Sequence, residues 1–407
     1  MMAGMLLARA GVDVLVLEKH ADFLRDFRGD TIHPSTLEVM GELGLLEAFL
    51  REPHQEVTHL AGNVGDTLVR VADFTRLPTR CKFLAFMPQW EFLNFIATAA
   101  KRYPSFDVRM RTRVEDLLWE GGTVVGVRAQ TPEGQLDVRA DLVIAADGRE
   151  SVVRGLAGLE PIELGAPMDV LWLRLSKRAS DPAETFGYVR GGRIMALIDR
   201  GAYWQCAYVI PKGSLEELRE RGMDGFRGDI AAIVPFLGDR VDELRDWDDV
   251  KLLTVRVNRL TRWYLPGLLC IGDAAHAMSP IGGVGINLAI QDAIAAANLL
   301  SGRFGEGAPS VEDLRAVQRR RETPARLTQA LQLFVQSRVI GRVLDAGRAP
   351  LLNKLPLLLR VLPFLPSIPG RLVGLGFRPE HVAGVAREAG TRSRAGRNAL
   401  YGPREGG

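Results

Sequence analysis

Apolar positions follow two different spacings along the chain, and the switches between them divide it. Leu6, Leu7 and Ala10 share one face of a predicted helix over 1–9, Ala10-Gly11 predicts a turn, and Val12 to Leu17 form a near-continuous apolar strand ending at Glu18. A run without alternation is buried on both faces, as in parallel sheets. Pro34, with Ser35 three residues before Glu38, predicts a capping box and a helix to about Leu43. Short strand-like pieces fill 55–86, and Pro88-Gln89 leads into a helix with Phe92, Phe95, Ile96 and Ala99 on one face. Residues 123–146 read as strand, turn at Gly134, strand, and then the apolar strand of DLVIAADGRE. From about 165 to 257 the pattern turns β-rich (VLWLRLS, RIMALID, YWQCAYVI, VKLLTVRV), with one helix capped by Ser214 and Glu217 and another before Pro235. LLCIGDAAHA restores the α/β pattern, followed by predicted helices from about Asn287 to Leu300, over 311–321 and over 325–344.

This layout predicts an α/β fold with a discontinuous nucleotide-binding domain of 1–54, 87–160 and 259–330. A β-rich domain of 55–86 and 161–258 interrupts it, and a helical, proline-broken segment covers 331–407. Such an arrangement makes a closed pocket at a domain interface.

Composition narrows the function. Of 407 residues, 47% are hydrophobic and 25% charged, the balance of a soluble globular enzyme, and a net charge of +3 gives no electrostatic case for a nucleic-acid partner. Arg319-Arg320-Arg321 reads as a solvated helix face. Three cysteines, Cys81, Cys206 and Cys270, are far apart in apolar runs, which predicts buried thiols and a cytoplasmic location. The histidines lack metal-ligand spacing, so no metal site is expected. MMAGMLLARAG lacks the basic start of a signal peptide, and the apolar stretch 351–370 is broken by Lys354, Arg360 and prolines. No stable membrane insertion is expected, and KLPLLLRVLPFL is read as a helical cover on the body.

Candidate chemistry sits at strand ends. Glu18 occupies the place where dinucleotide folds present an acid to a ribose diol. Gly272-Asp273 ends a buried strand. Then Pro280, Gly282, Gly283, Val284, Gly285, Ile286 and Asn287 form a glycine-rich entry to a helix, suited to close approach by a polarised group. Asp147-Gly148 ends another buried strand, and Arg28 and Gln89 each lie just before a helix.

These residues resemble the single-component FAD-dependent aromatic hydroxylases of the para-hydroxybenzoate hydroxylase type, from residue 1 to about 345. LCIGDAAHAMSPIGGVGINLAIQDA resembles that family's GD motif, DLVIAADGRESVVR its DG motif, and LVLEK its ribose-binding strand end. The resemblance implies a glutathione reductase-type FAD domain with an inserted β-sheet substrate domain. It implies FAD as cofactor, NADH or NADPH as reductant, and an aromatic or quinone-like small molecule hydroxylated with dioxygen through a flavin C4a-hydroperoxide. Glu18 and Lys19 would hold the adenosine ribose, Asp273 the ribityl chain, and Arg28 and Gln89 the flavin. Asp147 and Gly148 would serve FAD and NAD(P)H, the 282–287 loop would lie by the ring, and Pro280, Gly282 and Gly283 would position the reacting flavin edge. No side-chain base is identified, and His33 reads equally as a pocket residue or a helix-entry residue. Gly283→Val is expected to crowd the flavin ring while leaving the fold intact.

The family's N-terminal strand and G-x-G-x-x-G do not occur ahead of the first helix. In the usual order that strand is central, so the neighbouring edges would be unpaired, and the expectation is an N-terminally shortened chain whose start lies upstream. Three rival readings remain. One is a flavin-dependent halogenase, for which YWQCAYVIP (203–211) supplies Trp204. The others are a reductase on the same fold and an inactive, FAD-poor remnant.

Overall fold

The computed structural model describes residues 1–24, 31–65, 67–182, 186–346 and 365–384. Helix Met2–Arg9 buries Met2, Met5, Leu6 and Leu7 and lies on strand Val14–Leu17. Gly4 permits the approach, since a Cβ there would come within 2.8 Å of Val16 Cγ2. Val14–Leu17 pairs in parallel with Phe106–Arg109, and Val143–Ala145 pairs in parallel with Leu268–Cys270. Among the described residues these pairs belong to separate sheets, with no strand joining Val14–Leu17 to Val143–Ala145. A three-stranded antiparallel sheet, Arg113–Glu120, Thr123–Thr131 and Gly134–Arg139, adds Leu117, Val124, Val127 and Val138 to the same core.

The second region is a seven-stranded sheet running from Lys251–Leu253 through Met168–Ser176, Tyr203–Pro211, Arg193–Asp199, Phe186–Arg190 and His59–Val64 to Thr67–Asp73. Strand alternation gives it two apolar faces. Leu171, Leu173, Met195, Trp204, Cys206 and Tyr208 pack beneath helix Gly222–Ile233 in one core. Val170, Ala207, Trp172, Ala196 and Leu253 form a thinner cluster on the other face. A short sheet of Thr31–Ile32, Leu84–Phe86 and Gln55–Val57 lies at the start of the 55–86 segment.

Three local expectations are corrected. The helix Pro34–Glu42 starts at Pro34, so His33 is its N-cap and Ser35 falls inside the first turn. No side chain caps it, and Glu38 accepts from the Arg80 backbone instead. Ser214 does precede helix Leu215–Glu220, but its hydroxyl donates to the Pro211 carbonyl rather than capping. The two helices predicted over 311–344 are one helix, Val311–Val335, with Pro324 inside it, followed by a π-helical turn Gln336–Ile340. Proline removes one ladder bond, at a cost of about 3 kcal/mol. Buried Leu314, Val317, Ala325 and Gln329 on either side keep the helix continuous. Its true capping box, Ser310 with Asp313, lies one residue before the helix and went unread.

The one long apolar helix found among the described residues, spanning 281–305, is mostly buried within the protein. The stretch KLPLLLRVLPFL, expected as a helical cover, lies at 354–365, nearly all of it outside the described residues.

Candidate active site

A single cavity of about 3180 Å³ runs from strand Val14–Leu17 to the thin apolar face of the seven-stranded sheet. Most of the sequence-derived residues line it. Glu18, Lys19 and Gln89 lie on its wall, as do Asp147 and Gly148 at the end of Val143–Ala145. Gly272, Asp273, Pro280, Gly282, Gly283, Gly285 and Ile286 form the wall facing the sheet. Arg28 lies outside the described residues. Val284 and Asn287 do not line the cavity.

Asn287 is buried and its amide is fully used inside the protein. Oδ1 accepts from the His33 backbone N–H at 2.9 Å and from Thr36 Oγ1 at 2.8 Å. Nδ2 donates to the carbonyls of Thr31 at 2.9 Å and Gly283 at 3.2 Å. Two acceptor sites and two donors leave nothing for a ligand. Asn287 therefore fastens the 31–36 segment to the glycine loop. Gly282 and Gly283 take φ values of 76° and 63°, the left-handed region. A Cβ on Gly283 would sit 2.0 Å from Thr31 Oγ1. The expectation that Gly283→Val would crowd only the flavin is corrected, because its first collision is with the protein.

At the adjoining turn, the Gly272 N–H donates to Asp292 Oδ2 at 3.1 Å. Asp292 is wholly buried between His276 Nε2 at 2.6 Å and Arg321 Nε at 3.0 Å. Burial works to raise its pKa, but the charges and hydrogen bonds of His276 and Arg321 outweigh that and hold it below the usual carboxylate value. The turn carrying Asp273 is thus anchored from behind by a charged cluster.

Helix Val311–Val335 and the turn after it supply a feature that sequence reasoning missed. Gln329 Nε2 donates to the carbonyls of Asn258 and Ala277, and Gln332 Nε2 to those of Ser279 and Ile281. Gln332 Oε1 accepts from the Ser279 N–H, and Gln336 Nε2 donates to Ser279 Oγ at 2.6 Å. Glutamines at i, i+3 and i+7 occupy one helical face, and that spacing was available as a signal.

Segment 365–384 closes the same end. His33 Nδ1 meets the Val373 carbonyl at 2.7 Å. Burial lowers the His33 pKa to about 4, with the carbonyls of Val373 and Gly282 pulling the other way, so the ring is neutral at pH 7. His33 is accordingly a buried helix-entry residue.

The DG segment is tied across to the GD segment. Arg154 Nη1 donates to the Ala274 carbonyl at 3.1 Å and Nη2 to the Arg149 carbonyl at 2.8 Å. Asp147 accepts from Ser151 Oγ and from the Val153 N–H, so its carboxylate caps the Val152–Leu156 helix. Arg149 Nη2 lies 3.8 Å from Asp273 Oδ2, and its buried Nη1 has no hydrogen-bond partner among the described residues.

The residues the halogenase reading needed are not at the site. Trp204 is fully buried on the helix-covered face and donates to Asp181 Oδ2, and Tyr208 packs edge-on against Phe226. Of Trp172, Tyr203, Trp204 and Tyr208 on these strands, only Trp172 lines the cavity.

The residues fit a bound flavin. Gly282 and Gly283 give a backbone that a planar ring can approach, Asp273 faces the cavity as a hydroxyl acceptor, and Arg149 Nη1 is a buried donor without a partner.

Comparison with known proteins agrees. The FAD binding domain family model FAD_binding_3 matches residues 1–330. The chain is 36% identical over 351 residues to 6-methylpretetramide 4-monooxygenase of Streptomyces rimosus, covering 84% of this chain and 83% of that one. It is 28% identical to 2,4-dichlorophenol 6-monooxygenase of Delftia acidovorans over 71% of this chain and 53% of the relative. Among solved structures, OxyS anhydrotetracycline hydroxylase from Streptomyces rimosus superposes with a TM-score of 0.73 at 23% identity, covering 94% of this chain and 75% of that one. The myxobacterial chondrochloren halogenase CndH superposes at 0.68 with 19% identity, covering 93% and 95%. At these identities the two superpositions speak to the fold.

Proposed function

The chain belongs to the FAD-dependent aromatic hydroxylase family and is a flavin monooxygenase, and from that premise we propose which residues do which work and what kind of substrate they accept. FAD, when bound and reduced by NAD(P)H, supplies the oxygen-activating chemistry, and the protein supplies orientation and a dry pocket. Glu18, with Lys19 beside it, accepts from the adenosine ribose, and Asp273 accepts from the ribityl chain. Gln89 and the 282–286 backbone contact the ring region, and Pro280 borders its reacting edge. Val284 and Asn287 act one step back by fixing the loop. Asp147 acts likewise, through the Val152–Leu156 helix and Arg149, with Gly148 giving the turn its left-handed φ of 93°.

The substrate is an aromatic or quinone-like small molecule with a broad apolar face. One observation carries this reading. The part of the cavity wall contributed by the seven-stranded sheet includes Ala196, Ala207 and Gly187 between Val170, Trp172 and Ile198. Small residues in mid-sheet leave a wide, flat floor for fused rings. Among the described residues that floor carries no titratable side chain, so no base from the sheet is used to activate the substrate. Cytoplasmic residence fits the free, buried cysteines.

The test is anaerobic reduction of the flavin-loaded protein by NADH and by NADPH, then oxygen consumption with polycyclic and monocyclic phenols. One hydroxylated product per oxygen, favouring polycyclic rings, is the expected result. Bromide incorporation would support the halogenase, and reduction without oxygen uptake the reductase; either contradicts this proposal.

A further inference from the structure

Residues 378–383 bridge three helices. The Val382 N–H donates to Glu42 Oε2 at 2.7 Å, and His381 Nδ1 meets Glu42 Oε1, at the end of helix Pro34–Glu42. Asn298, on helix Val284–Leu300, donates to the His381 carbonyl at 2.8 Å and accepts from the Ala383 N–H at 3.0 Å. Between these two fastenings and helix Val311–Val335 stands Glu380, a carboxylate that is almost wholly buried. It accepts from Arg320 Nε at 2.7 Å and Nη2 at 3.1 Å, and from Arg321 Nη1 at 3.4 Å, while its N–H donates to Gln291 Oε1.

Arg321, expected on a solvated helix face, is wholly buried. Its guanidinium lies between two carboxylates: Nε donates to Asp292 Oδ1 at 3.0 Å, and Nη1 reaches Glu380 and the Arg378 carbonyl. Nη2 is buried without a hydrogen-bond partner among the described residues. A buried cation needs counter-charge, and here two anions share it. Without the charge of Glu380, the whole attraction of Arg321 falls on Asp292, and the unused Nη2 supplies the second prong of a bidentate pair. Asp292 is not free to turn without consequence, because its other oxygen accepts from the Gly272 N–H at 3.1 Å and meets His276 Nε2 at 2.6 Å. Gly272 has a left-handed φ of 59°, and a Cβ there would lie 2.9 Å from Ala289 Cβ, so the turn sits tight on the helix that carries Asp292. The next residue is Asp273.

We propose that Glu380 is a positioning residue for the ribityl end of the flavin site. Through Arg321 and Asp292 it holds Gly272, and with it the Asp273 carboxylate, at the angle that meets the ribityl hydroxyls. The proposal rests on the reading of Asp273 given above. Glu380 itself stands nearly a hundred residues beyond the 272–287 loop and does not line the cavity.

Two probes separate ring from side chain: lumiflavin carries the ring without a ribityl chain, and riboflavin carries both. Their dissociation constants are measured by flavin fluorescence for the wild type, Glu380→Gln, Glu42→Gln and Asp273→Ala. In Glu380→Gln riboflavin should bind at least about tenfold more weakly, with lumiflavin within about twofold of the wild type. Glu42→Gln loosens the same segment at His381 and Val382 but leaves Arg321 alone, and should change neither constant. If Glu380→Gln does not fold, Glu380→Asp is read in its place. It keeps the charge with a shorter reach, and the loss expected for riboflavin alone is about threefold. Equal loss for both flavins, or no loss, would overturn the proposal. So would the same selective loss in Glu42→Gln, which would give the role to the segment and not to the Glu380 charge. Asp273→Ala tells the two possible failures apart. A change of the riboflavin-to-lumiflavin ratio there, with none in the Glu380 variant, sinks this proposal alone, and no change in either sinks the ribityl assignment with it.

Discussion

At one end of the cavity the Asn287 amide makes four hydrogen bonds, and three glutamines hold the backbone of 277–281 in place. At the other end two strands, Val14–Leu17 and Val143–Ala145, line the cavity, and no strand among the described residues lies between them. The chemistry asked of the two ends differs accordingly. A ring that must meet oxygen and substrate at fixed angles needs a backbone that does not move, and buried amides bonded to that backbone provide this. The dinucleotide end presents strand ends, and among the described residues its parallel strands fall into two separate pairs. The difference teaches that one end of such a cavity can be held by buried side-chain amides while the other relies on strand ends alone.

The comparison predicts unequal responses to substitution. The largest is expected for Gly283→Val, which adds left-handed strain to a collision with Thr31. Together these cost about 3–5 kcal/mol, and flavin fluorescence quenching should be lost with them. A small shift in thermal unfolding would break the claim that this end is rigid.

Acid is the next test. Burial lowers His33 from 6.5 to about 4, so between those values the unfolded chain binds a proton that the folded chain refuses. Stability is full above pH 6.5 and falls as pH drops toward 4, by about 3 kcal/mol over the whole interval. Urea unfolding at pH 7 and pH 4.5 should show this loss in the wild type and much less of it in His33→Gln.

Gln332→Leu should cost about 2 kcal/mol by leaving the N–H of Ser279 and two loop carbonyls without their partner. It should also slow flavin reduction more than it weakens flavin binding. The smallest effect belongs to the dinucleotide end. Val14→Ala removes a half-buried side chain and should cost under about 1 kcal/mol in this chain. Thermal unfolding of the Val14→Ala protein beside the wild type checks this.

Much of this was legible in the residues. Unalternated apolar runs ending in Glu18, Asp147 and Asp273 identified strand ends, and those three residues do line one cavity. What was not legible came from contacts far apart in sequence. Asn287 looked like a ligand residue because it opens a glycine-rich helix, yet its partners are at 31–36, some 250 residues away, and only the fold brings them together. Asp147 likewise looked like a ligand, while its carboxylate serves the helix that follows. The glutamine face over 329–336 was missed although its spacing falls within the helix expected over 325–344, because its partners at 258 and 277–281 lie 51 to 71 residues away and only the fold brings them there. Trp204 and Trp172 are both strand aromatics, and only the sheet shows which face each takes: Trp172 stands opposite Ala207 and lines the cavity, and Trp204 stands opposite Leu175 in the helix-covered core.

The most direct measurement is to titrate the 407-residue chain with riboflavin and with FAD, following flavin fluorescence. If the ring end carries most of this chain's hold on flavin, the two dissociation constants should agree within about tenfold, a difference under roughly 1.4 kcal/mol. FAD binding a thousandfold or more tighter than riboflavin would mean that the adenylate half is already held, and would contradict this account.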